Sequence, residues 1–239
     1  MHNGKTQLTA LKNALRASGN PSMAKHAQGF FKTGKDEYGE GDVFLGIRVP
    51  VVRKLATAFK QLPIEQCTEL LHSRYHEERL CALVLLIQQY ERGDASTKTA
   101  IYQTYLDNLQ YINNWDLVDI SAHLIIGRHL FARERTHLYQ LARATDLWER
   151  RIAIVATLYF IRNHDYADTL TIAEMLLDHP EDLIHKAVGW MLREVGKRDL
   201  AAELRFLDQH YAKMPRTMLR YAIEKFDEPL RKAFLKGTR

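Results

Sequence analysis

The sequence predicts an all-α protein, a right-handed α-solenoid of about fourteen helices joined by short turns. Nearly every segment spaces its apolar residues with helical periodicity, and none alternates like a half-buried strand. Similar helices also recur at Arg79, Trp115, Arg151 and Lys186, at intervals of 36, 36 and 35 residues. Such a repeat is typical of stacked helix pairs. We expect one helix of each pair to line a concave groove that is basic and aromatic.

The individual elements follow from local signals. The first helix turns Leu8, Leu11 and Leu15 to one face. Four prolines stand where helices would begin, since proline is tolerated at a first helical position. They are Pro21, which follows the capping residue Asn20, and Pro50, Pro63 and Pro215. The polar, glycine-rich segment 32–42 is expected to be a mobile loop that does not pack. No break resembles a domain linker, so residues 1–239 form a single predicted domain.

Composition excludes several protein classes. With 46% hydrophobic and 26% charged residues, the chain of 239 residues resembles an ordinary globular protein. Its longest nearly apolar run, 152–161, is shorter than the roughly 20 residues of a membrane span, so no membrane partner is expected. The first residues lack the apolar core of a secretory signal. Two cysteines, Cys67 and Cys81, are too few to stabilise a chain of this length through disulfides, which favours a reducing cytoplasm.

The net charge of +5 is concentrated near the C-terminus. Residues 185–239 hold 13 Lys and Arg against 7 Asp and Glu, whereas residues 1–184 hold 21 against 22. This asymmetry suggests a polyanionic partner, with an ordinary solvated surface as the alternative.

Two helices place tryptophan on a polar face. In the helix from Trp115, the side chains of Trp115, Asp119 and His123 lie opposite the apolar face. The alternative is that Trp115 packs under a neighbouring repeat and Asp119 pairs with an arginine. In the helix from Lys186, one face carries Lys186, Trp190, Arg193 and Lys197. That face suits phosphates and a ring or sugar, or is simply a solvated basic surface.

A third helix is apolar nearly all round, and Arg151 emerges at its N-terminal end. Burial of this arginine requires a carboxylate or a phosphate, and a structural partner such as Asp119 would serve equally well. His72 and His76 are four residues apart, but no zinc-binding motif surrounds them. No phosphate loop or cysteine-nucleophile motif is found. We therefore expect no metal and no cofactor.

Three segments resemble the AlkD branch of the DNA alkylation repair enzymes, which are HEAT-repeat-like DNA glycosylases: NNWDLVD (113–119), LWERRIAI (147–154) and IHKAVGWMLREVGK (184–197). PSMAKHA (21–27) and FLGIRVP (44–50) follow in the order expected for that family. The resemblance covers most of residues 20–200 and fades after about residue 205.

The resemblance implies a role for each matching residue. Asp119 corresponds to the catalytic aspartate, and Trp115 and Trp190 to two sugar-facing tryptophans. Arg151 corresponds to a phosphate-binding arginine. The other expected DNA-binding residues are Arg193, Lys197, Lys186 and His26. The sequence departs from the family pattern at His26, where a tyrosine is expected near DNA, and at Tyr159, where a lysine is expected.

The expected function is hydrolysis of the N-glycosidic bond of cationic N3- or N7-alkylpurines in duplex DNA. By resemblance, the protein would grip the backbone around the lesion in an open groove without flipping the base, and would tolerate bulky adducts. A monomer associated with the cytoplasmic nucleoid is expected. One alternative is a non-catalytic binder of damaged, bent or branched DNA. Another is a HEAT-type protein-interaction scaffold, for which an apolar or acidic groove would be expected.

Overall fold

The computed structural model describes residues 2–239, with side chains from residue 6 onward. The chain divides into two compact units, Met1–Leu117 and Val118–Arg239, and the boundary falls inside one helix. The two units are treated separately below. A single repeat domain over residues 1–239 stays a prediction.

The first unit is built around one long helix. Its helices are α1 (His2–Ala17), α2 (Pro21–Phe30), α3 (Val49–Ala58), α4 (Ile64–Leu71), α5 (His76–Arg92), α6 (Ala95–Asp107) and the start of α7 (Trp115–Ala122). A 3-10 turn, Leu109–Tyr111, precedes α7. Helices α1, α3, α4 and α6 pack on α5, which is buried along most of its length. As predicted, Leu8, Leu11 and Leu15 of α1 are buried.

The second unit continues α7 through a π-helical segment, His123–Gly127, into α8 (Arg128–Leu130). It then contains α9 (Thr136–Arg143), α10 (Leu147–Ala156), α11 (Leu158–Arg162), α12 (Ala167–Met175), α13 (Asp182–Gly196), α14 (Leu200–His210), α15 (Arg216–Ala222), a 3-10 turn (Ile223–Lys225) and α16 (Glu228–Lys236). The π-helical segment packs on α10, α10 on α13, and α13 on α15. Helix α9 packs against α10, α14 against α13, and α12 against both, an arrangement that agrees with stacked helix pairs.

The all-α prediction is confirmed. If α7 to α8 and α10 to α11 are each counted as one continuous rod, residues 2–239 form fourteen helical rods. Within that range the β-type pairing is confined to an isolated bridge between Val43 and Tyr75. Within the same range, no helix is long and apolar enough to cross a membrane. The concave basic groove stays a prediction.

Local helix signals are confirmed at each proline. Asn20 caps α2, because its side chain accepts a hydrogen bond from the backbone N–H of Met23, and Pro21 is the first helical residue. Pro50 lies in the first turn of α3. Pro63 and Pro215 immediately precede α4 and α15.

The expectation for segment 32–42 is wrong at its C-terminal end. Gly39 and Asp42 are buried, and Asp42 is only 6% exposed. The Asp42 carboxylate accepts hydrogen bonds from His76, Arg79 and Asn114, so it ties the loop to the first unit. Polar composition misled the prediction because a buried carboxylate is stable where several donors meet it.

Candidate active site

Asp119 of α7 and Arg151 of α10 form a buried ion pair in the second unit. The guanidinium donates from Nε to Oδ1 of Asp119 over 3.0 Å and from Nη2 to Oδ2 over 2.8 Å. Its Nη1 donates to the backbone carbonyl of Leu183. Arg151 is 5% exposed, whereas the Asp119 side chain keeps 20% exposure. The pair confirms the alternative in which an arginine holds Asp119, and it fixes the carboxylate by a two-bond fork.

Local sequence explains how α10 presents this arginine. The helix begins after Asp146, whose carboxylate accepts hydrogen bonds from the backbone N–H groups of Trp148 and Glu149. From that start, Arg151 falls among apolar residues that are fully buried. Its charge can be buried there because Asp119 and a carbonyl meet three of its N–H groups.

The two helices of the pair approach closely at a glycine. A Cβ atom placed on Gly127, in the π-helical segment, would lie 2.0 Å from the carbonyl oxygen of Ala156 in α10. Real Cβ atoms do not come so near to oxygen, so only glycine fits between these backbones. The spacing between the helices of Asp119 and Arg151 therefore depends on the absence of a side chain at position 127.

The prediction that His123 faces the polar side with Trp115 and Asp119 is wrong. His123 is 8% exposed, and its Nδ1 has no hydrogen-bond partner among the described residues. Burial, reinforced by the charge of Arg162, lowers the pKa of His123 to about 4. His123 begins the π-helical segment on which α10 and α11 pack, so neighbouring helices bury a residue that helical spacing alone places beside Asp119.

Trp115 begins α7 and belongs to an aromatic cluster of the first unit. Its ring stacks on Phe31 with centroids 5.1 Å apart and meets Phe30 edge-on at 6.0 Å. Phe31 stacks in turn on Phe44 at 4.9 Å, and Phe44 stacks on the imidazole of His76 at 4.4 Å. The four rings of this stack, from His76 to Trp115, leave Trp115 half-buried.

His76 also joins two carboxylates. Its Nδ1 lies 3.0 Å from Oδ2 of Asp42, and its Nε2 lies 2.8 Å from Oδ2 of Asp116. Arg79 donates to the other oxygen of Asp42. Burial opposes a charge on His76, but the carboxylates of Asp116 and Asp42 prevail and raise its pKa to about 9. A charged His76 therefore fixes Asp116, the residue after Trp115.

The predicted cations of α13 and its C-cap all pair with acids. Lys186 lies 2.6 Å from Asp182, Lys197 lies 2.5 Å from Glu194, and Arg193 pairs with Glu224. The side chains of Lys186 and Lys197 are 40% and 42% exposed, and that of Arg193 is 16% exposed. Exposed pairs of this kind contribute little to stability.

Three further predicted residues differ in exposure. Trp190 is half-buried on α13, and His26 is exposed on α2. Tyr159 is half-buried and meets the ring of Phe131 edge-on at 5.6 Å. Among the described residues, no group of three or more His, Cys, Asp or Glu side chains is arranged to hold a metal ion.

Sequence reasoning missed the network around His76. The sequence marks His76 only as a candidate metal ligand and Arg79 only as the start of a repeat. Asp42 lies 34 residues before His76 and Asp116 lies 40 residues after it, so no local spacing joins the three. The one available signal was a histidine followed by charged residues, His76 to Arg79, at the start of an otherwise apolar helix.

Comparison with known proteins identifies the family of this chain. A family model described as DNA alkylation repair enzyme matches residues 11–226. The chain belongs to this family. A solved structure titled as a predicted DNA alkylation repair enzyme from Enterococcus faecalis matches this DNA alkylation repair family member with a TM-score of 0.68 and 19% identity. The match covers 88% of this chain and 98% of the other, and at that identity it supports the fold alone. No curated protein matches the chain.

Proposed function

We propose that this member of the DNA alkylation repair family is a glycosylase for purines alkylated at N3 or N7 in duplex DNA. One observation supports the proposal above the others. The Asp119 carboxylate is held in a fork by buried Arg151 and still keeps 20% exposure. A carboxylate that is fixed before the reaction stabilises developing positive charge without reorganising.

The chemistry needs little else from the protein. Alkylation at N3 or N7 makes the purine cationic and weakens its bond to C1′ of the sugar. As that bond breaks, its electron pair neutralises the departing base, and the sugar becomes an oxocarbenium-like cation. Asp119 stabilises this cation and positions a water molecule, which bonds to C1′ and releases a proton to solvent. The indole faces of Trp115 and Trp190 add cation–π attraction.

The proposed contacts with DNA are to its backbone. Arg193, Lys197, Lys186 and His26 would meet phosphates, which supply affinity without reading sequence. Arg151 is assigned to phosphate by the resemblance, and this role stays a prediction. Three of its N–H groups already meet Asp119 and Leu183, so we propose that Arg151 acts chiefly as a positioning residue for Asp119.

The decisive experiment is release of 7-methylguanine from a duplex with one lesion, measured in a single turnover. Asp119→Asn should slow release by about 10²–10³-fold while duplex affinity changes little. Asp146→Asn is the matched control, because it makes the same isosteric change at an N-cap where asparagine serves equally well. Wild-type rates in Asp119→Asn would refute the mechanism. Tight duplex binding without any release by the wild type would favour a non-catalytic binder of damaged DNA.

A further inference from the structure

The second unit contains a cavity of about 330 Å³, at the lower end of the roughly 300–1,000 Å³ typical of small-molecule sites. It lies where α13 ends and where α14 and α16 begin, beside the 3-10 turn that follows α15. Its apolar surface comes chiefly from Leu200, Phe226 and Leu230. Leu200 is 47% exposed, so this side of the cavity is an apolar wall that an apolar ligand can cover.

Two polar groups that line the cavity have an atom without a hydrogen-bond partner. Glu203 is 1% exposed, and its Oε1 is buried with no partner among the described residues. The same holds for Nε of Arg193, whose Nη1 pairs with Glu224. A buried polar group without a partner is costly, and most such groups in folded proteins are satisfied. A ligand in the cavity can supply the two partners that the fold does not.

The carboxyl group of Glu203 packs directly against the backbone of α13. A Cβ atom placed on Gly196 would lie 1.6 Å from Oε2 of Glu203. Only glycine therefore leaves room for the carboxyl group at this end of α13. The close contact holds the carboxyl group in place at the wall of the cavity.

The protonation state of Glu203 decides which ligand fits. Burial raises the pKa of Glu203 to about 8, although the charge of Arg193 opposes the shift. At neutral pH the carboxyl group is therefore mostly protonated. Its O–H and the Nε–H of Arg193 are then two neighbouring donors that both need an acceptor.

The charges around these donors nearly cancel. Besides Glu203, the lining has three cations and one acid: Arg193, Lys197, Lys225 and Asp227. Two further acids, Glu194 and Glu224, pair with these cations from outside the lining. A ligand with a single negative charge therefore fits this surrounding better than a multiply charged anion such as a phosphate monoester.

We propose that this cavity binds a small monocarboxylate with an apolar body. A carboxylate has two oxygens, so one group accepts a hydrogen bond from Glu203 and another from Arg193. The apolar body lies against Leu200, Phe226 and Leu230 and removes them from water. This inference goes beyond the glycosylase function and does not depend on it, because neither Asp119 nor Arg151 takes part.

The test uses the intact chain and phenylacetate at pH 7, with phenylacetamide as a neutral comparison of the same shape. Calorimetry should show binding of phenylacetate with a Kd below about 1 mM, and phenylacetamide should bind at least about tenfold more weakly. Above pH 8 Glu203 ionises and repels the carboxylate. The affinity for phenylacetate should therefore fall about tenfold between pH 7 and pH 9.

Two variants of Glu203 form a matched pair. Glu203→Gln keeps a hydrogen-bond donor and cannot ionise, so it should bind phenylacetate with similar affinity at both pH values. Glu203→Leu keeps the size of the side chain without any donor, so binding should weaken at least about tenfold. Both variants replace a buried carboxyl group that has an unsatisfied oxygen, so both should fold, and thermal unfolding checks this.

Three results would overturn the proposal: no binding of phenylacetate at pH 7, equal affinity for phenylacetate and phenylacetamide, or equal binding of phenylacetate by Glu203→Gln and Glu203→Leu. Asp119→Asn separates this proposal from the proposed function. That variant should lose excision and bind phenylacetate as the wild type does. A wild-type protein that binds phenylacetate but releases no alkylated base would refute only the glycosylase function.

Discussion

Removal of Arg151 tests the central ion pair most directly. Arg151→Ala deletes two charge-assisted hydrogen bonds to Asp119 and one to the carbonyl of Leu183. Breaking a buried pair from one side costs about 3–5 kcal/mol. Because the Asp119 side chain is 20% exposed, water can solvate it after the loss, so we expect the lower end, about 3 kcal/mol. For a chain of this length, the melting temperature should fall by about 6–12 °C.

Matched variants separate the geometry of the pair from its charge. Arg151→Lys keeps the charge but cannot form the two-bond fork, so we expect it to lose about half as much stability as Arg151→Ala. Arg143→Ala, on the exposed end of α9, should change stability by less than about 0.5 kcal/mol. Urea unfolding of Arg151→Ala, of Asp119→Ala and of the variant that carries both measures the coupling energy between the two side chains. A loss below about 1 kcal/mol for Arg151→Ala, or additive effects in the double variant, would refute the pairing.

Further predictions concern pH, salt and substrate. The pKa of His76 is raised from 6.5 to about 9. The charged imidazole therefore stabilises the fold fully below pH 6.5, and this contribution is lost as pH rises through 9. His76→Gln should flatten this dependence of the unfolding free energy on pH. Burial raises the pKa of Glu203 from 4.5 to about 8, so the wild type should lose stability as pH rises from 4.5 to 8. Glu203→Gln should remove this loss, and an unchanged dependence of unfolding free energy on pH would contradict the burial of Glu203. Lys186→Ala and Lys197→Ala should each lower the salt slope of duplex binding by about one, equally for all sequences. Uracil and 8-oxoguanine should not be released in single-turnover assays, since neutral bases leave poorly without an acid.

Helices and their starts were predictable because their signals are local. Asn20 and Pro21 sit next to each other, and the apolar spacing of α1 is contained within a few turns. The site was predictable only in part. Asp119 and Arg151 were singled out individually, and Asp119 was one of the two kinds of partner, a carboxylate or a phosphate, left open for Arg151. The stack from His76 to Trp115 joins residues from four separate segments, so no single window of sequence contains it.

The π-helical winding was beyond sequence reasoning for a different reason. Residues 123–127 continue the helical pattern of the segment before them, and one extra residue in a turn leaves the composition unchanged. His123, at the start of that winding, is buried, although its spacing from Asp119 placed it on the polar face.

Gly127 gives this molecule a point of unusual mutational fragility. Most positions in a helix tolerate several other residues. At position 127, however, even a methyl group would lie 2.0 Å from the carbonyl oxygen of Ala156. Any replacement must push apart the two helices that bring Asp119 to Arg151. In a deep mutational scan selected for repair, position 127 should therefore be as intolerant as position 119, although glycine has no side chain to take part in any reaction. A position that matters through what it leaves empty would be overlooked by any search for reactive groups.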